Sequence, residues 1–69
     1  MGVSYKKLWV IMAEREMKRT DLKTIAGVSS NTLAKMGKNE YVSLEVLERI
    51  CKRFKCDIGD IIEINGEED

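Results

Sequence analysis

The sequence predicts an all-α fold, and two features carry that prediction. Its 69 residues include no proline and few aromatics, and its many Leu, Ile, Lys and Glu residues suit helices better than sheets. Apolar residues also recur at helical spacing in several separate stretches. At this length the chain is one domain near the lower limit of independent folding, without a disulfide framework or zinc ligand set to reinforce it. Its core must therefore be compact and helix-built, or completed by a partner.

Each element follows from local signals. Ser4 can cap a first helix over about Tyr5 to Glu16, where Tyr5, Leu8, Trp9, Met12 and Ala13 share one stripe. Trp9 reads most simply as the central core aromatic, with ligand stacking as the alternative. Leu22, Ile25 and Ala26 mark a short second helix from about Arg19, and Gly27 follows where a left-handed residue can stop it. Ser29 is a good N-cap for a third helix running to about Gly37, with Leu33 and Met36 on its buried side and Ser30, Asn31, Thr32 and Lys35 outside.

A connection through Asn39, Glu40, Tyr41 and Val42 leads to Ser43, which caps a fourth helix over about Leu44 to Phe54. Leu44, Leu47, Ile50, Cys51 and Phe54 form its apolar stripe; Glu45 with Arg49 and Glu48 with Lys52 are favourable outer pairs. Asp57 can cap one further turn through Ile61, and Ile62 to Ile64 can pair as a short strand with Val3 to Tyr5. Residues 1–64 thus form the domain, and the acidic NGEED at 65–69 reads as a disordered tail.

Several function classes are excluded. No window reaches membrane-spanning length, and MGVSYK offers no apolar signal segment, so a cytoplasmic location is expected. There is no histidine, no paired carboxylate in a plausible cleft and no activated Cys or Ser beside a base, so the parts of an enzyme are missing. Phosphate-loop and dinucleotide glycine patterns are missing too, and no cofactor is expected. Cys51 and Cys56 lack zinc-site spacing and are expected as reduced thiols packing like small apolar residues, with a redox switch as the alternative.

Net charge is zero, but its distribution is uneven. Through residue 38 the chain carries eight Lys and Arg against three acids, a balance of +5 that the remainder cancels. Such asymmetry suggests one face built for a polyanion, although two segregated solvated faces would give the same count. Two short helices joined by a glycine turn, the second with a polar outer face, make a helix-turn-helix. The major groove admits one such helix, and base edges are discriminated by short or planar donors and acceptors near its N-terminus.

Asn31 suits a bidentate pair with adenine, Lys35 reaches guanine acceptors or a phosphate, and Ser30 and Thr32 can donate to either. Ser30, Asn31 and Lys35 are the candidate base contacts. Lys18, Arg19 and Lys38 are candidate phosphate contacts, with Lys23 near the same backbone and Ser29 at the cap beside them. The competing reading is that Ser29 to Thr32 are ordinary turn and cap residues and the lysines a solvated face.

The stretch KRTDLKTIAGVSSNTLAKMGKNEYVSLEVLERICKRFKCDIGDII resembles the phage-repressor and Cro-like helix-turn-helix domain of bacterial, XRE-type transcriptional regulators. Leu22, the Ala26-Gly27-Val28-Ser29 turn, Leu33, Ser43-Leu44-x-x-Leu47 and Cys56-Asp57-Ile58-x-Asp60-Ile61 carry the likeness. It implies a compact five-helix bundle of the lambda-repressor-like type, base contacts from Ser30, Asn31 and Lys35, and phosphate contacts from Arg19, Thr32 and Lys38. Two departures stand out. Lys18 occupies the usual Ser or Thr cap of the second helix, leaving only Asp21 of the capping box. Met36-Gly37-Lys38 replaces a common acidic residue at the end of the third, which removes a negative charge beside the groove and lets Gly37 shorten the helix.

The expected function is a sequence-specific double-stranded DNA-binding regulator, a repressor, acting as a homodimer because one short helix reads few base pairs. Ile61, Ile62, Ile64 and Tyr41 are candidates for the dimer surface or, alternatively, close the core. The rival is a protein-interaction module, an antitoxin or adaptor whose acidic second half neutralises a basic protein partner.

Overall fold

A computed structural model describes residues 2–65. Strand β1 (Gly2–Ser4) leads into α1 (Lys6–Glu14), α2 (Asp21–Ile25), α3 (Ser30–Gly37) and α4 (Leu44–Phe54), followed by a 3-10 turn (Ile58–Asp60) and strand β2 (Glu63–Asn65). The strands pair antiparallel, with Gly2 opposite Asn65, Val3 opposite Ile64 and Ser4 opposite Glu63. The expected bundle of five helices is thus four α-helices, one 3-10 turn and a two-stranded sheet. In the fifth segment Asp57 N–H donates to Asp60 Oδ2 at 3.0 Å and Ile58 N–H to Asp57 Oδ1 at 2.7 Å, closing a single turn. Gly59 adds no helix propensity to lengthen it.

The terminal pairing differs slightly from expectation because Tyr5 leaves the strand to precede α1. Of the tail expected at 65–69, Asn65 lies in β2; residues 66–69 fall outside the described residues.

Leu8 and Met12 from α1, Leu22 from α2, Val28 from the turn, Met36 from α3 and Val46, Leu47, Ile50 and Phe54 from α4 pack with Val3, Tyr5 and Ile61 into one core. Three assignments need correction. Ala13 is exposed; Leu44 is 69% exposed while Val46 is buried in its place; and Trp9 only flanks the core. Tyr5 and Phe54 are the buried aromatics instead, and the Tyr5 hydroxyl donates to the Glu40 carbonyl at 2.6 Å. Burial pushes that phenol above its ordinary value.

Three helices end on a non-glycine residue at positive φ. Glu16 (58°), Asn39 (59°) and Lys55 (56°) each allow the next N–H to reach back five residues: Met17 to Met12 at 2.8 Å, Glu40 to Lys35 at 2.9 Å and Cys56 to Cys51 at 3.0 Å. These bonds satisfy carbonyls that a helix end leaves orphaned.

Candidate nucleic-acid interface

The site begins at the α2–α3 turn. Gly27 takes φ +66°, which an L side chain resists. Val28 N–H then donates to the Leu22 carbonyl at 3.2 Å, folding the chain back so that Val28 enters the core. Arg49 of α4 holds the turn from behind, its Nε donating to the Ala26 carbonyl at 3.1 Å. The outer pairs Glu45–Arg49 and Glu48–Lys52 are present at 3.4 and 3.5 Å. Arg49 therefore does more than sit in a surface pair: it pins the end of α2 to the scaffold.

Ser29 caps α3, its Oγ accepting from Thr32 N–H at 3.1 Å. The Ser29 and Thr32 hydroxyls also share a hydrogen bond of 3.0 Å. One of the two protons is thereby used, so the pair retains a single O–H for an external acceptor. Met36 is fully buried and Leu33 half-buried, which fixes α3 against the bundle and turns Ser30, Asn31 and Lys35 to solvent. Asn31, Lys35 and Lys38 line one shallow hollow together with Ala34 and Glu40.

Glu40 qualifies an expectation. Met36-Gly37-Lys38 carries no acid, but the connection beyond it brings the Glu40 carboxylate to the hollow that Lys35 and Lys38 line, without an ion pair to either among the described residues. Asn39 places it there: besides ending α3, its Oδ1 accepts from Tyr5 N–H at 3.3 Å. The first role has a local signal, an asparagine just past a helix end; the second has none.

The entry to α2 shows what remains of the capping box. Lys18 N–H donates to Asp21 Oδ2 at 2.9 Å, and Asp21, Leu22 and Lys23 N–H groups bond the carbonyls of Lys18, Arg19 and Thr20. The segment from Lys18 is a tightened turn, so α2 begins two residues later than expected. The side chains of Lys18, Arg19 and Lys23 are exposed along it. Arg19 is the exception to free solvation, with its guanidinium 4.3 Å from the centroid of the Trp9 ring.

A polar-faced short helix, seated on a buried methionine, capped by serine and preceded by a glycine turn, is the geometry of a helix-turn-helix. The Cro/C1-type HTH DNA-binding domain matches residues 7–67. The chain belongs to that family. It is a helix-turn-helix DNA-binding transcriptional regulator. Over 62 residues it is 39% identical to the uncharacterized HTH-type transcriptional regulator YozG of Bacillus subtilis (strain 168), covering 87% of this chain and 74% of that one. It is also similar to the crystal structure of transcriptional regulator VanUg (form II), at 53% identity and a TM-score of 0.88, covering 93% of this chain and 85% of that one. Among the described residues, no helix is long and apolar enough to cross a membrane.

Proposed function

We propose that this Cro/C1-type domain is a sequence-specific repressor that binds double-stranded DNA in the cytoplasm as a homodimer, with α3 in the major groove. The observation that carries the reading is the exposed outer face of α3, where Asn31 and Lys35 share one hollow with Lys38. Ser30, Asn31 and Lys35 read base edges. Lys18, Arg19, Lys38 and the single free proton of the Ser29–Thr32 pair meet phosphates, which sets register.

Of the candidate dimer contacts, Tyr41 and Ile64 are 73% and 72% exposed and Ile62 is half-buried against the core, whereas Ile61 is buried and closes it. The dimer is therefore assigned to Tyr41 and Ile64.

Selection of duplexes from a random pool at two salt concentrations tests the proposal. A palindromic site with two half-sites supports the dimer, and affinity should fall steeply with salt. Asn31→Ala should then cost about 1–3 kcal/mol on the selected site and little on random duplex. Equal losses on both would remove Asn31 as a reader of sequence.

One feature favours the rival, a protein-interaction module for a basic partner. A groove between α4 and the 3-10 turn has an apolar floor of Leu44, Leu47, Cys51 and Ile58 and an acidic rim of Glu45, Glu48 and Asp57. Failure to select any duplex, at any salt, would move the function to that groove.

A further inference from the structure

We infer that Trp9 is a positioning residue for DNA binding: its indole is the platform on which the Arg19 guanidinium is held ready for a backbone phosphate. The inference rests on the DNA-binding reading above and adds a residue to it that the helix-turn-helix itself does not contain.

Arg19 Cζ lies 4.3 Å from the Trp9 ring centroid, within the distance at which a cation is drawn to an aromatic face. On its other flank, Nη1 lies 3.8 Å from where a Cβ at Gly37 would stand. The guanidinium thus occupies a slot between α1 and the end of α3, just ahead of α2. Trp9 is half-buried and packed against the core, so the platform is fixed while Arg19 itself stays exposed.

What the cation lacks matters equally. Among the described residues the ion pairs are Glu45–Arg49 and Glu48–Lys52, and none engages Arg19. A guanidinium in a carboxylate fork has spent its in-plane N–H donors, whereas one stacked on a ring keeps them for a bidentate acceptor. A stacked arginine has also surrendered rotamer freedom before DNA arrives, which lowers the ordering cost on binding. Among the described residues, neither Lys18 nor Lys38 stacks on a ring or pairs with a carboxylate, and each offers a phosphate only a point charge.

The test is a double-substitution cycle on a duplex selected from a random pool, titrated across a salt series. Arg19→Ala should make the salt slope shallower by about one. Trp9→Leu should weaken binding about twofold to fivefold, and should change nothing further in the Arg19→Ala background. Trp9→Phe should recover part of the loss. Equal losses from Trp9→Leu in both backgrounds would show that Trp9 acts by packing alone, and no loss in either would also overturn the inference.

Trp9 is the only tryptophan, so its emission gives a second readout in the free protein. Arg19→Ala should shift it, and an unchanged spectrum would count against stacking even where Trp9→Leu fails to fold. If the wild-type protein binds no duplex at any salt, the DNA reading fails and takes this inference with it. If it binds with a steep salt slope and Trp9 proves silent, this inference alone fails.

Discussion

Replacing Gly27 by alanine isolates the turn that aims α3. Gly27 sits at φ +66°, a conformation that costs a residue with a Cβ about 1–2 kcal/mol. Space adds no further penalty, because the nearest atom to the new Cβ is Arg49 Nε at 4.0 Å. The backbone is not free to escape the strain, since Arg49 Nε holds the Ala26 carbonyl at 3.1 Å and Val28 is buried on the other side.

The expected loss is therefore the conformational cost alone, about 1–2 kcal/mol. At roughly 4–8 °C per kcal/mol for a domain of this size, Tm should fall by about 4–16 °C. Lys55 supplies a control of opposite sign: it stands at φ 56°, so Lys55→Gly should relieve strain and stabilise by about 1 kcal/mol. Thermal and urea denaturation followed by helical circular dichroism measure both, with m unchanged. An unshifted Gly27→Ala midpoint would show that the turn relaxes despite its two anchors. A loss above about 4 kcal/mol would require a clash that the geometry does not contain. Because the strain is shared by free and bound protein, DNA affinity of folded Gly27→Ala should match wild type.

Three other outcomes are expected. Glu40→Gln should strengthen binding to random duplex about twofold to fivefold by removing the carboxylate beside Lys35 and Lys38; unchanged affinity would place Glu40 away from the phosphates. Burial raises the Tyr5 phenol, so the folded protein holds that proton more tightly than the unfolded chain. Its contribution is complete below about pH 10 and is lost as pH rises from there through the folded value. Urea denaturation between pH 8 and 11 should show a steeper decline in wild type than in Tyr5→Phe, which keeps only the part owed to the raised Cys51 thiol, and identical profiles would exclude Tyr5 as a source. Burial, and then the neighbouring Cys56, Asp57 and Asp60, push the Cys51 thiol up. Alkylation of Cys51 by iodoacetamide at pH 7 should be slower than that of free cysteine, and a faster rate would contradict a protonated, shielded thiol.

How much of this was legible depended on sequence separation. The caps Ser29 and Ser43 were readable because each accepts from an N–H three residues on. The Gly27 turn and the Glu45–Arg49 and Glu48–Lys52 pairs are likewise local patterns. The ties that aim the site are not local. Asn39 to Tyr5 spans 34 residues, Tyr5 to Glu40 spans 35 and Arg49 to Ala26 spans 23. Periodicity also misplaced Leu44, because helical spacing says which residues share a face and not how far the packing neighbour extends. Positive φ at Glu16, Asn39 and Lys55 was hidden for a similar reason. Only Asn39 carries a side chain with a known tolerance for that region.

The charge count by halves, which supports both the DNA reading and its rival, changes meaning once the acids are placed. Of the nine acidic residues after position 38, three fall at 67–69, outside the described residues. Glu45 and Glu48 are matched by Arg49 and Lys52 on the same helix. Asp57 and Asp60 accept backbone N–H groups of the 3-10 turn. A basic partner docking along the α4 groove would therefore compete with intramolecular partners for most of the rim, which weakens electrostatic recognition there. The opposite edge of α4 is cationic: Arg49, Lys52 and Arg53 line a hollow with Ile25, Ala26 and Gly27, beside the turn that precedes α3. Arg49 and Lys52 are themselves paired with Glu45 and Glu48, so of these three cations Arg53 alone has no carboxylate partner among the described residues. The second half of the sequence therefore adds little net field of either sign along α4, and its carboxylate nearest the α3 lysines is Glu40, which lines their hollow. The field that steers a polyanion to the helix-turn-helix comes mainly from the first 38 residues, whose balance of +5 the net charge of zero conceals.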